Sequence, residues 1–392
     1  MKRVVVGLSG GVDSSVTALL LKEKGYDVIG MFMRNWHDET VTISDDCPWI
    51  DDSNDALLIS QKLDIPFQVI DLSKEYKSRI IDYMFNEYEK GRTPNPDILC
   101  NREIKFDVFL NEALKIGADF IATGHYCQKT INTDGSYGLL AGKDSNKDQS
   151  YFLCQLNQEQ LSKAIFPLGE MLKSEVRKIA LKANLHNANK KDSQGLCFVG
   201  KISLPTFLQQ KLKPIKGDII EIPSDLIEYQ KYNSIKKTEE NIELLASPFH
   251  YTPEMGKVIA NHQGIHYYTI GQRKGLHIGG RPKPSFVIGI DVDLNIIYTG
   301  QTKEHPGLNK FALKIETETV HFISNKYDIN NINGLSCLVR IRYRQPLEKA
   351  KIFKKNNGLY ILFSKKQRGI TPGQFAAFYI ENELIGSGVI YH

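Results

Sequence analysis

Nowhere in the 392 residues do two cysteines form a CxxC pair. The six cysteines (Cys47, Cys100, Cys127, Cys154, Cys197 and Cys337) are scattered along the chain. That spacing excludes a zinc ribbon and a disulfide framework, and it fits a reducing cytosol. No window approaches the roughly 20 apolar residues needed to span a bilayer. The opening "MKRVVVGLSGG" meets glycine too soon for a signal peptide. A soluble, cytoplasmic protein with no membrane partner is therefore expected. Neither GxxxxGK[ST] nor GxGxxG occurs, which argues against a γ-phosphate-hydrolysing P-loop and a dinucleotide fingerprint. No repeat of 20 to 50 residues is apparent. Net charge is only +5, but residues 1–200 carry 24 Lys+Arg against 28 Asp+Glu, leaving 26 against 17 for the rest. The first half is at −4 and the second at +9, a skew that suits either a soluble basic surface or a polyanionic partner.

The chain is long enough for two or three globular domains. Its first 125 residues alternate strand and helix: "VVVGL" (4–8), a helix ending on glycine, "DVIGMFM" (27–33), a helix, "PFQVIDL", a helical stretch 74–90, a further helix through "EIKFDVFLNEALKIG", and "DFIATGH" (119–125). Such alternation predicts an α/β domain with a doubly wound parallel sheet, whose ligands lie beyond the carboxyl ends of the strands. Those ends are Ser9 to Ser14, Met33 and Gly124 to His125, which nominates one crevice. We expect this domain to span 1–205. A small central domain should occupy 206–283, and a β-barrel of short alternating strands 284–392.

Between the first strand and the first helix stands "SGGVDSS" (9–15). Gly10 and Gly11 let backbone N–H groups approach an oxyanion. Ser9, Ser14 and Ser15 add hydroxyls, and the helix N-terminus adds positive dipole. This is a phosphate cradle. Asp13 within it suits magnesium or a helix cap equally well. The loop resembles that of the ATP pyrophosphatases, which activate a substrate oxygen by adenylation.

Two cysteines sit in polar, loop-like surroundings: Cys100 after "PNPDIL" and Cys197 within "KDSQGLCF". A helix N-terminus near Cys100 and Lys190 and Lys191 near Cys197 would favour thiolate. The other four cysteines read as inert, buried residues. For Cys47, in the acidic "ISDDCPWIDD", a role as a third sulfur or metal ligand is the lesser reading. Taken alone, Cys100 suits a buried hydrophobe, a metal ligand or a nucleophile.

The ordered motifs "GLSGGVDSSV", "GRTPNPDILCNREIKF", "ATGHY", "DSNKDQSYFL", "KDSQGLCF", "YTIGQRKGL", "RYRQ" and "TPGQ" resemble the tRNA-specific 2-thiouridylases over nearly the whole chain. The resemblance implies that ATP with Mg2+ is bound by Gly7, Leu8, Ser9, Gly10, Gly11, Val12, Asp13 and Ser14, with Met33 and Gly124 against the nucleotide and no dedicated metal site. It implies that the carbonyl oxygen at position 2 of the wobble uridine is adenylated. Cys197 then delivers a persulfide sulfur from an upstream donor or cysteine desulfurase relay, and Cys100 acts as nucleophile, closing a disulfide with Cys197. Asn95, Pro96 and Asp97 are implied to hold the target base, splayed from the anticodon loop. For Asp97, proton transfer and turn capping are both open. His125, Lys147, Asp148, Gln149, Arg342, Tyr343 and Gln374 are implied to touch tRNA. Arg340, Arg342 and Arg344 alternate as if three guanidinium groups shared one strand face, suited to phosphates. The segment 223–258 is longer than its family counterpart, and an insertion without function is expected there. The competing functions are a related adenylating synthetase that uses an amine, and a non-catalytic RNA-binding sulfur carrier.

Overall fold

The computed structural model describes residues 1–35, 48–191, 204–328 and 330–392. Cys47 and Cys197 lie outside the described residues. The first domain builds a parallel sheet from β1 (Arg3–Gly7), β2 (Asp27–Arg34), β3 (Phe67–Asp71) and β4 (Phe120–Ala122). The chain next forms an antiparallel hairpin, β5 (Cys127–Ile131) and β6 (Tyr137–Ala141), then returns to the sheet as the two-residue β7 (Ala164–Ile165). The order β3-β2-β1-β4-β7 is doubly wound, as expected from the alternating pattern. Its reversal point lies between β1 and β4, where such sheets open a crevice at the strand carboxyl ends. β1 is a run of Val4, Val5 and Val6, all fully buried, because both faces of a central parallel strand are covered.

The central domain is a four-stranded sheet of β8 (Gly217–Glu221), β9 (Lys257–His262), β10 (Ser285–Asp291) and β11 (Ile296–Gln301), in the order β10-β11-β8-β9. β10 and β11 thus belong here and not to the C-terminal barrel, which moves the expected boundary at 284 to beyond Gln301. The sequence misled because these strands alternate like those that follow; only their partners differ.

The C-terminal sheet contains β12 (Asn309–Ile315), β13 (His321–Phe322), β14 (Leu335–Arg340), β15 (Glu348–Lys355), β16 (Gly358–Arg368), β17 (Phe375–Ile380) and β18 (Glu383–Val389). A bridge between Ile315 and Ile390 joins its first and last strands, closing a barrel. The hairpin β5–β6 of the first domain is stitched onto β18 through Leu139↔Leu384 and Leu140↔Glu383. One apolar core runs through this seam, from Val5 and Phe109 by way of Tyr151 to Phe375, Tyr379 and Val389. Tyr151 donates its hydroxyl to Phe375 O (3.1 Å), and buried Ser387 Oγ donates to Cys154 O (2.7 Å). The first domain and the barrel therefore pack as one body. No helix among the described residues is long and apolar enough to cross a membrane.

Candidate active site

The loop after β1 meets α1 (Val12–Glu23) with Gly11 as N-cap and no side-chain cap bond. The first amides of α1, which have no partner within the helix, are left for a ligand at the strand ends. The loop is shaped from within: Ser14 Oγ accepts from Ser9 N (3.1 Å) and donates to Gly11 O (3.1 Å), and Ser15 Oγ also donates to Gly11 O (2.9 Å). Gly10 has φ +70°, and a Cβ there would fall 2.3 Å from Asp52 O, so only glycine fits. Gly124 is equally constrained, since a Cβ would lie 2.9–3.0 Å from Asp13 and Ser14 backbone atoms. Met33 reaches over the same strand end, its Cε 3.3 Å from where a Cβ on Gly7 would stand. Leu8 and Val12 are buried, so their side chains serve the core and only their backbone can face a ligand.

Asp13 does not cap the helix, whose N-cap is Gly11. Lys173 Nζ bonds both its carboxylate oxygens (2.7 Å each), and Tyr126 donates its hydroxyl to Oδ1 (2.8 Å). Nothing in local sequence announces Lys173, which lies 160 residues away. A further latch was missed as well: Asn187, 4% exposed, donates to Gly10 O (3.0 Å) and Ser15 Oγ (2.9 Å). Lys190 was expected to acidify Cys197, but its charge is committed to Asp52 (2.7 Å) and Asp55 (2.5 Å). Burial opposes its charge, yet those two carboxylates hold its pKa above the ordinary lysine value.

The second half of the site is the helical segment 96–115. Asn95 caps it, its Oδ1 accepting from Ile98 N (3.2 Å), with Pro96 at the first turn. Asn95 is therefore the cap, and Asp97 sits inside it, in the first turn of the helix. From Cys100 to Val108 the helix widens to π-type i→i+5 bonding, a geometry often found at functional sites. Farther along, Phe109 packs at Gly7 and Phe106 lies 6.2 Å, ring to ring, from His125. Cys100 is thus two to three turns from the nucleotide loop, on the order of 10 Å along the axis. It is also fully buried, among Ile98, Leu99 and Ile104. Its polar, non-periodic surroundings in sequence do not show this burial: the residues after the turn enter the core and carry the sulfur inside. Cys127, Cys154 and Cys337 are buried too, with burial pushing Cys127 well above the ordinary thiol value and Cys154 and Cys337 to about 12.

Motifs remote in sequence converge on this helix start. Asn101 Nδ2 donates to Asp97 O (3.0 Å) and Phe152 O (3.3 Å), and the Phe152 ring packs on Tyr343 with centroids 4.3 Å apart. Gln374 Nε2 donates to Thr93 O (2.8 Å) and Pro94 O (3.0 Å), and its Oε1 accepts from Asn95 (3.3 Å).

Several residues implied to touch tRNA are engaged within the protein. His125 is 8% exposed, and its Nδ1 lies 2.7 Å from Thr123 Oγ1; burial, with Lys105 nearby, keeps its pKa well below the ordinary histidine value. It is uncharged at neutral pH. Asp148 is buried, accepting from Gly142 N and Ser150 N (3.0 Å each) and pairing with Arg340 (3.1 Å). Gln149 exchanges two bonds with the Tyr126 backbone (2.9 and 3.0 Å). Lys147 is half-buried. Arg342 donates to Ile270 O (3.2 Å), Gly369 O (2.5 Å) and Thr371 Oγ1 (3.1 Å). The expected row of three guanidinium groups does not form: β14 ends at Arg340, so the period of two lapses, and only Arg344 is exposed.

Comparison with known proteins agrees with this architecture. Residues 2–201 match the family described as tRNA methyl transferase HUP domain, residues 250–301 its PRC-barrel domain, and residues 313–390 an aminomethyltransferase beta-barrel domain. The chain is 60% identical over 394 residues to the tRNA-specific 2-thiouridylase MnmA of Flavobacterium johnsoniae and 59% identical to that of Christiangramia forsetii, in both cases over 100% of either chain. The namesake of Streptococcus thermophilus is 43% identical, covering 99% of this chain and 95% of its own. With identity of this degree along its full length, the chain belongs to the tRNA-specific 2-thiouridylase family.

Proposed function

We infer that the protein is an ATP-using tRNA-uridine 2-sulfurtransferase, and we propose the wobble uridine as its target. The observation that supports this most is convergence: the Asn95–Cys100 turn, the Phe152–Tyr343 pair and the helix leading back to the phosphate-binding loop meet beside one sheet end.

The loop amides and Ser9 would hold the β- and γ-phosphates, leaving the α-phosphorus towards the Asn95–Asp97 turn. The uracil O2 attacks that phosphorus, the bond to pyrophosphate breaks, and the base carries AMP as its leaving group. A persulfide on Cys197, supplied by an upstream sulfur donor, attacks C2 through its terminal sulfur and expels AMP. The thiolate of Cys100 then attacks Cys197 Sγ, the sulfur–sulfur bond breaks in favour of the base, and a Cys100–Cys197 disulfide remains for an external thiol to reduce. Asp97, on the turn that Asn95 caps, would hold or move the proton at N3 of the base. Cys100 must gain access for this step, and its place at the start of a π-type segment gives the helix a position where register can change. The described residues do not fit a resident magnesium: Asp13 is committed to Lys173 and Tyr126, and no group of three or more metal-suited side chains occurs among them. Magnesium would arrive on the triphosphate itself.

The test is incubation with ATP, magnesium, a persulfide donor and unmodified tRNA, followed by nucleoside mass spectrometry. Thiolated uridine should appear and should be lost in Cys197→Ser and Cys100→Ser. Activity that survives the double change would favour a synthetase using an amine.

A further inference from the structure

The segment "TPNP" (93–96) is poor in backbone donors, because Pro94 and Pro96 have no N–H. Such a turn cannot hold itself through a backbone ladder, and it takes its bonds from the barrel. Pro372 O accepts from Thr93 N (2.9 Å), while Gln374 Nε2 donates to the carbonyls of Thr93 and Pro94 and its Oε1 accepts from Asn95. Both carbonyls only accept, so the amide orientation is fixed and both its hydrogens are consumed within the protein. Gly373, at φ +88°, allows this approach: a Cβ would stand 2.9–3.1 Å from Thr93 backbone atoms. Thr93 Oγ1 also donates to Thr269 Oγ1 (3.1 Å) in the central domain. The residue that Gln374 grips, Asn95, caps the helix that carries Asp97 and begins the approach to Cys100.

We propose that Gln374 is a positioning residue for the sulfur-transfer step, holding the catalytic turn from the barrel. The proposal rests on the function given above. It makes the barrel part of the catalytic apparatus: any strain that bound RNA places on the 369–374 turn, which Arg342 anchors through Gly369 O and Thr371 Oγ1, is passed to Asn95 by hydrogen bonds.

Gln374→Met keeps the volume and removes the donors; Gly373→Ala pushes the turn away without deleting a side chain. Both should lower kcat at saturating tRNA by tenfold or more and leave the Kd for tRNA, measured by fluorescence anisotropy without ATP, within twofold of wild type. Gln374→Glu, which aims an oxygen at two carbonyls, should lower kcat further. Amide exchange at Ile98, whose N–H the Asn95 side chain accepts, should quicken in each. Tenfold weaker tRNA binding with kcat retained would overturn the proposal in favour of direct contact, and so would unchanged exchange. If wild type formed no thiolated uridine, the functional reading would fall, while the exchange measurement would still decide whether Gln374 positions the turn.

Discussion

Lys173 shows how much of a phosphate loop can be built from outside its motif. It lies 11% exposed by side chain and neutralises Asp13 in the middle of the cradle, so the loop amides face an incoming polyanion without an uncompensated carboxylate beside them. A charge-assisted pair of this kind is worth about 1.5–3 kcal/mol. Lys173→Ala should therefore raise the KM for ATP by about tenfold or more in tRNA-dependent pyrophosphate release, and an unchanged KM would contradict the assignment. The glycines and serines of the loop were legible in sequence because a phosphate cradle dictates them locally. Lys173, Tyr126 and Asn187 were not, because their relation to the loop exists only after α1 and the distant helices pack. The burial of Cys100 was not legible for a similar reason: polarity of neighbours in sequence does not report which way a helix turns its first residues.

At the scale of elements, the segment 223–258, which reads in sequence as an insertion without function, folds and packs. Its helices (Ile227–Ser234 and Ile242–Ala246) place Tyr232, Ile242 and Leu245 against Ala312, Phe353 and Tyr360 of the barrel. Weak periodicity hid this, because short helices clamped at one end need few apolar residues. Buried Lys310 on β12 donates to Ala246 O (2.8 Å) and Ser247 O (3.2 Å), at the end of the second helix, where a cation suits the dipole. Burial depresses its pKa from 10.5 to about 7. Between those values the unfolded chain binds a proton that the folded chain does not, so this group makes stability rise with pH, by up to about 1.4 kcal/mol per unit. Relative to Lys310→Met, wild type should gain about 2 kcal/mol between pH 7 and pH 9 in denaturant titrations; a constant difference would place the ammonium in water. The arginine run 340–344 failed as a strand prediction because β14 stops at Arg340, which turns inward to Asp148.

Over the whole molecule, the doubly wound parallel sheet and the presence of a terminal barrel could be read from period and alternation, but the seam between them could not. Strand pairing between β6 and β18, 243 residues apart at Leu140 and Glu383, has no local sign, and neither does the clasp of Thr93 by the 371–374 turn. The excess of +9 in residues 201–392 becomes informative once the substrate is a polyanion. tRNA affinity should fall steeply with salt, and Arg344→Ala, the exposed member of its run, should flatten the slope of log K against log salt by about 1 if it meets a phosphate; an identical slope would remove it from the interface. The claim on which the rest depends is that the base oxygen leaves on phosphorus. It is tested most directly with tRNA carrying heavy oxygen at uridine position 2, in a single turnover with ATP and a persulfide donor. The account predicts that the heavy oxygen is recovered in the phosphate of AMP as sulfur enters the base; heavy oxygen found in pyrophosphate or water, with AMP unlabelled, would contradict it.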